Sequence, residues 1–229
     1  MGGTTGTVLL ARHGQASYES ALVSNDGGSL TEAGRGQAHT LASQLAPLSI
    51  SSIWTSSLSR GVQTAEIIGA ELGLPVTVRE GLREYSVGFM AGTAIDEAAH
   101  VSTTLADWLR GDDSSAIEGG ESFMRVVQRV EQVLEEIVPV LGAGSALVVS
   151  HGGAILATVP WLTGARPLDR PELWMPNCGY FELQPGPVSG PRRISEVHAT
   201  TTPRTANGST HRKWSVRRDS PVPGRTAPE

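Results

Sequence analysis

The chain has almost no cysteine and almost no lysine. Cys178 is the single cysteine in 229 residues, which excludes an internal disulfide framework and fits a reducing compartment. The expected location is therefore the cytoplasm. Lys213 is the sole lysine among 18 basic residues, and the others are all arginine. Long apolar runs are also missing. None approaches the ~20 residues needed to span a bilayer, so no membrane association is expected. The segment Met1-Gly2-Gly3-Thr4-Thr5-Gly6 shows neither the basic start nor the apolar stretch of a secretory signal. There is no Walker loop, no dinucleotide-binding glycine fingerprint and no zinc-spaced Cys/His set. No cofactor and no metal are expected.

What is present is ordinary for a soluble domain: 39% hydrophobic and 18% charged residues, enough for one good core. The net charge of −5 is unevenly spread. Residues 201–229 carry six basic side chains against Asp219 and Glu229, which leaves −9 on the first 200 residues. An acidic body argues against nucleic acid as a partner. A small anionic substrate stays open, because a local arginine pocket decides that. The tail is rich in Thr, Ser, Pro and Arg, with one aromatic, Trp214. It cannot bury enough apolar surface to offset its own ordering, so it reads as a disordered basic extension.

The first 200 residues alternate between short apolar runs and helical stripes. A strand at about 7–12 leads to a Gly/Ser/Asn-rich loop at 24–29. Thr31 then reads as the N-cap of a helix with Ala38, Leu41, Ala42 and Leu45 on one face, closed by Pro47. A strand at about 51–55 precedes a helix marked by Val62, Ala65, Ile68 and Leu72, which ends at Gly73 and Pro75. Val76–Val78 is a short strand, and residues 81–93 form a glycine-punctuated loop. A helix is expected at about 94–110, stopped by Gly111. Glu121 opens the clearest helix, with Phe123, Val127, Val130, Leu134 and Ile137 on one face and Arg129, Glu131 and Glu135 off it. A strand at 145–150, a helix from about 153 and a strand pair at Tyr180–Leu183 and Ile194–Val197 complete the pattern. Strands alternating with helices predict an α/β fold with a largely parallel sheet. The expectation is one three-layer αβα domain over residues 1–200, followed by the tail at 201–229.

Three of the predicted strands end on chemistry. Val8-Leu9-Leu10-Ala11 runs into Arg12-His13-Gly14. Ile53-Trp54-Thr55 leads to Arg60. Ala146-Leu147-Val148-Val149 runs into His151-Gly152-Gly153. In open α/β sheets the carboxyl ends of strands are where ligands bind. Two guanidiniums beside neutral imidazoles suit a phosphate ester. The bland alternative for a lone His after a strand is a loop or hydrogen-bonded core residue, and for Arg60 a solvated helix-start charge. The constellation favours function. His39, His100, His198 and His211 sit in polar or tail contexts and read as surface residues, and Cys178 as a packing residue.

Five ordered motifs carry a family resemblance: Leu10-Ala11-Arg12-His13-Gly14-Gln15-Ala16-Ser17, Leu30-Thr31-Glu32-Ala33-Gly34, Ser56-Ser57-Leu58-Ser59-Arg60, Leu82-Arg83-Glu84 and Ser150-His151-Gly152-Gly153. Together the chain resembles the histidine phosphatase superfamily, the phosphoglycerate-mutase-like group, over about residues 7–183. The resemblance implies that His13 takes up phosphate as a phosphohistidine. Arg12 and Arg60 would clamp the phosphoryl oxygens, His151 would complete the pocket and Glu84 would be the proton donor. Gly152 would let backbone approach the phosphate. Glu80 and Glu97 are the nearby carboxylates that compete with Glu84 for the acid role.

The departures from the family pattern matter. Many members place Asn five residues beyond the glycine of Arg-His-Gly, where this chain has Glu19; Gln15 or Ser17 is expected to supply a neutral donor instead. Gly88-Phe89-Met90-Ala91-Gly92 replaces the frequent Gly-x-Trp-Glu-Gly, which predicts an altered pocket rim. Only 66 residues separate Glu84 from His151, too few for the extended loop region of dedicated mutases. The favoured activity is a phosphomonoesterase acting on a small phosphorylated metabolite. A phosphoglycerate-mutase-type transferase is the alternative, with a non-catalytic phosphate-binding module after it. The specific ester stays open, as does the choice between monomer and homodimer.

Overall fold

The computed structural model describes residues 6–94, 99–110, 112–163, 175–185, 194–200 and 213–215. In chain order the elements are β1 (Thr7–Arg12), β2 (Ala16–Ser17), β3 (Ser29–Leu30), α1 (Glu32–Leu45), β4 (Ile50–Thr55), α2 (Ser59–Leu72), β5 (Val76–Val78), α3 (Ala99–Arg110), α4 (Phe123–Ile137), β6 (Ser145–Ser150), α5 (Gly152–Thr163), β7 (Tyr180–Pro185), β8 (Ile194–Thr200) and β9 (Lys213–Ser215). The main sheet has the order β5-β4-β6-β1-β7-β8-β9. Its first four strands are mutually parallel, and β7, β8 and β9 extend it as antiparallel neighbours.

The apolar run of β1 is continuous because both of its faces are covered. Val8 and Leu10 point to one side, where Trp108 of α3, Val127, Val130 and Leu134 of α4 and Ala154 and Ile155 of α5 pack with them. Leu9 and Ala11 point to the other side, into Ala38, Leu41 and Leu45 of α1 and Ala65 and Ile68 of α2. β6 alternates in the same way, with Ala146 and Val148 on the first face and Leu147 and Val149 on the second. The result is the expected αβα sandwich in a single α/β domain.

Local chemistry sets most element boundaries where the sequence placed them. Thr31 accepts the Gly34 N–H and caps α1. Gly73, in the left-handed conformation at φ 68°, ends α2. The clearest helix, α4, begins two residues later than its pattern indicates. Ser122 takes the N-cap, accepting from the Arg125 N–H, and Glu121 is drawn away to bond the loop after β5. The start of the predicted 94–110 helix and its stop at Gly111 lie outside the described residues, as does Glu97. One expectation changes. Lys213–Ser215, inside the segment read as disordered, pair antiparallel with His198–Thr200 of β8. An open sheet edge supplies ladder hydrogen bonds that composition alone does not reveal. The remainder of 201–229 lies outside the described residues.

The turn after β1 is pressed against the first turn of α1. A Cβ on Gly14 would stand 2.6 Å from the Gly34 carbonyl oxygen, and one on Gly34 would run into the Gln15 carbonyl. Gly36, two residues on, has nothing within 4 Å. Gly34→Ala should therefore destabilise the fold by about 1–3 kcal/mol through forced backbone displacement. Gly36→Ala should be neutral or stabilising by up to about 1 kcal/mol through helix propensity. Urea melts of the two variants check this, and equal effects would contradict the close packing.

Candidate active site

Four loops at the carboxyl ends of parallel strands converge. β1 delivers Arg12 and His13, β4 leads into α2 and Arg60, β6 delivers His151, and the loop after β5 brings Glu84. His13, Arg60 and His151 are all buried. The two imidazoles lie with ring centroids 5.1 Å apart.

His13 is held in one orientation. Its Nδ1 is 2.7 Å from the Gly14 carbonyl oxygen, which can only accept, so Nδ1 carries the proton. The lone pair is left on Nε2, and the Arg60 Nε–H donates to it at 3.3 Å. The backbone around it is pinned as well. The Gly14 N–H donates to Thr64 Oγ1 at 3.1 Å, the Thr64 hydroxyl donates to the Arg60 carbonyl at 2.7 Å, and the Asn177 amide donates to the His13 carbonyl at 2.9 Å.

His151 is fixed by Ser56. The Ser56 Oγ lies 2.7 Å from Nε2 and accepts the Leu58 N–H at 3.3 Å. The contact holds the ring in one orientation and leaves Nδ1 facing away from Ser56. That Nδ1 is buried without a partner among the described residues, and so is Arg12 Nε. Buried polar atoms of this kind cost about 1–3 kcal/mol each when unpaired and are enriched at sites of binding and catalysis. Gly61 must be glycine here, since a Cβ would stand 2.8 Å from Ser56 Oγ.

The guanidiniums are anchored at one edge. Arg12 Nη1 donates to the Met175 carbonyl at 2.9 Å, and Arg60 Nη1 to the Gly27 carbonyl at 2.7 Å. Arg60 also lies over the Tyr18 ring, 5.5 Å from its centroid. Gly152 flanks Arg12, because a Cβ there would be 3.4 Å from Nε.

Glu84 docks on the first turn of α5, directly after His151. Oε1 accepts the Ala154 N–H at 2.8 Å and the Tyr85 N–H at 3.1 Å, and Oε2 accepts the Gly153 N–H at 3.0 Å. Glu80 is different: its side chain is 70% exposed and pairs with Arg83 at 3.2 Å. The geometry therefore favours Glu84 over Glu80.

The structure brings together Arg12, His13, Arg60, Glu84, His151 and Gly152. The two candidate neutral donors, Gln15 and Ser17, are both exposed. Gln15 Oε1 accepts the Thr31 hydroxyl at 2.9 Å, and Ser17 is exposed on β2. Sequence reasoning missed Ser56, Thr64 and Asn177 as supports. Ser56 lies inside a quoted motif, but nothing local announces its contact with a residue 95 positions away. Cys178 is buried, and burial pushes its thiol up to about 12, which suits a packing residue. His39 pairs with Glu71 on the surface. Among the described residues no group of three or more His, Cys, Asp or Glu could hold a metal ion, and no helix is long and apolar enough to cross a membrane.

Burial pushes His13 down from 6.5 to about 4; the Gly14 carbonyl bond works the other way, and the Arg60 and Arg12 charges add to the lowering. Burial, with Arg60 next, likewise holds His151 well below the usual imidazole range. Both rings are neutral at pH 7. An NMR titration of His13 should show a midpoint near 4 in the folded protein, and a midpoint near 6.5 would contradict the site. The unfolded chain binds this proton at 6.5 while the folded chain resists until about 4. Stability should therefore fall as pH drops between those values, by about 3 kcal/mol from His13.

Relatives place this geometry. A probable phosphoglycerate mutase GpmB from Erwinia tasmaniensis is 29% identical over 177 residues, covering 75% of this chain and 81% of that protein. A mycobacterial glucosyl-3-phosphoglycerate phosphatase structure superimposes with a TM-score of 0.66 at 28% identity, covering 78% of this chain and 90% of that one. Bacillus stearothermophilus YhfR does so with a TM-score of 0.66 at 26% identity, covering 82% and 95%. The model of the histidine phosphatase superfamily (branch 1) matches residues 8–190, and the chain belongs to that superfamily.

Proposed function

We propose that the protein is a phosphomonoesterase that works through a phosphohistidine on His13 and acts on a small phosphorylated metabolite. The carrying observation is the Nδ1–H bond to the Gly14 carbonyl, which leaves a neutral, buried Nε2 lone pair beside Arg60. In the first step Nε2 attacks phosphorus as the bond from phosphorus to the ester oxygen breaks. Glu84 gives its proton to the departing oxygen. Arg12, Arg60 and His151 receive the charge that spreads over the phosphoryl oxygens. In the second step water attacks the phosphohistidine, Glu84 takes the water's proton, and inorganic phosphate leaves with Nε2 restored.

The competing mutase reading rests on the GpmB relatives. Hydrolysis is favoured by the short segment between Glu84 and His151 and by the phosphatase among the structural neighbours. Phe89, on the loop beyond Glu84, is 75% exposed and lies against Gly119.

A panel of phosphate monoesters tests the assignment. Wild type should release inorganic phosphate from at least one ester, and His13→Ala should lose turnover by several orders of magnitude. With 3-phosphoglycerate, phosphate release should exceed 2-phosphoglycerate formation; the reverse would establish the mutase. Activity should survive EDTA. Complete loss with chelator, restored by one divalent ion, would replace this mechanism with metal-assisted hydrolysis.

A further inference from the structure

Arg129 is a helix residue with an unusual set of partners. It lies on α4, off the apolar face, where a solvated charge is the ordinary reading. Its side chain is only 20% exposed. Nη1 donates to the carbonyls of Gly81 at 2.8 Å and Arg83 at 2.6 Å. Nη2 donates to the Glu84 carbonyl at 3.1 Å and to Glu121 Oε2 at 3.0 Å, and Nε donates to Glu121 Oε1 at 2.8 Å. These bonds match the five N–H donors of a guanidinium. Glu121 extends the grip: its Oε2 also accepts the Ser86 N–H at 2.9 Å, and its own N–H donates to the Ser86 carbonyl at 3.3 Å.

The segment so held is the one that carries Glu84. The Ser150 hydroxyl, at the end of β6, donates to the Leu82 carbonyl at 2.8 Å. Four consecutive carbonyls, from Gly81 to Glu84, are therefore each captured by a side chain. Gly81 lies flat on α4, where a Cβ would meet the Arg129 carbonyl oxygen at 2.7 Å. With its backbone clamped from two sides, Glu84 reaches the first turn of α5 beside His151. Burial pushes the Glu121 carboxyl up, but the Arg129 hydrogen bonds and charge outweigh it, so Glu121 stays below its usual range as the ionised partner. A partly buried ion pair is weak evidence for stability, because desolvation offsets much of its attraction. Its specific yield here is the placement of one carboxyl.

We propose that Arg129, held by Glu121, is a positioning residue for the proton transfer made by Glu84. Its hydrogen bonds run to the backbone of Gly81, Arg83 and Glu84 and to Glu121, and it acts through that backbone, while its charge also reaches His151. The proposal rests on the reading of Glu84 as the acid. Fork geometry is essential to it, because a lysine keeps the charge but brings three donors on one atom and cannot span three carbonyls and a carboxylate.

The test compares Glu84→Gln, Arg129→Lys and the double variant on an alkyl phosphate, which needs leaving-group protonation, and on p-nitrophenyl phosphate, which needs little. Burst kinetics first establish that phosphorylation limits the rate. General acid catalysis contributes about 10²–10⁴-fold, so Glu84→Gln should lose on that order with the alkyl ester and much less with the nitrophenyl ester. Arg129→Lys should show the same selectivity at about 10–100-fold, within the limit set by the acid, with the inhibition constant of inorganic phosphate unchanged. The double variant should be no slower on the alkyl ester than Glu84→Gln alone, since both changes disable one function. Equal losses on both esters for Arg129→Lys, or multiplying losses in the double variant, overturn the positioning role and leave the acid in place. Equal losses on both esters for Glu84→Gln overturn the acid, and the positioning role falls with it. If Arg129→Lys does not fold by circular dichroism, the same alkyl-selective loss is read from Glu121→Gln, and its absence there counts against the proposal.

Discussion

The hydrogen bond between His13 Nδ1 and the Gly14 carbonyl governs the site, because it decides which ring nitrogen holds the lone pair. A free imidazole exchanges its proton between the two nitrogens. Here a carbonyl, which cannot donate, removes that freedom. Burial keeps the ring neutral, and the Arg60 and Arg12 charges reinforce this. Nε2 thus carries a lone pair without prior proton removal, which is what the proposed attack on phosphorus requires. His151 is held in its turn by Ser56, whose Oγ lies 2.7 Å from its Nε2. Two neutral histidines thus sit side by side, each fixed by its own hydrogen bond.

The fold makes this arrangement stiff. β1, β4 and β6 are neighbours in the parallel part of the sheet and are packed from both faces, so their ends hold fixed relative positions. Arg12, His13, Arg60 and His151 each lie within a few positions of a buried strand end, and after β4 and β6 the next helix starts within four residues. Glycines then admit the close contacts: Gly14 meets α1 and Gly61 meets Ser56. Glu84 comes from a loop with no strand to steady it, and Arg129, Glu121 and Ser150 take over that task.

What the sequence made legible follows from distance along the chain. Arg12, His13, Arg60 and His151 were readable because each adjoins an apolar run whose end is a predictable place. Helix starts were readable where a cap such as Thr31 is local. The supports of the site were not. Ser56 meets His151 across 95 positions and Arg129 meets Gly81 across 48, and off-face charge on a helix looks the same whether solvated or clamped. Gln15 and Ser17 follow the turn after β1, where Gln15 Oε1 accepts from Thr31 and Ser17 is exposed on β2. Lys213–Ser215 pair with β8 because a sheet edge rewards backbone regardless of side-chain polarity.

The central claim is that the Nε2 of His13 carries the phosphoryl group. The most direct measurement is to quench the enzyme without acid during turnover of a monoester, confirm one added phosphoryl group by intact mass, and assign the modified nitrogen by 31P–15N coupling on ring-labelled protein. The account predicts phosphorylation at Nε2 of His13 and nowhere else. A phosphoryl group on Nδ1 of His13, on His151, or no covalent intermediate under conditions where phosphorylation outruns hydrolysis would contradict it.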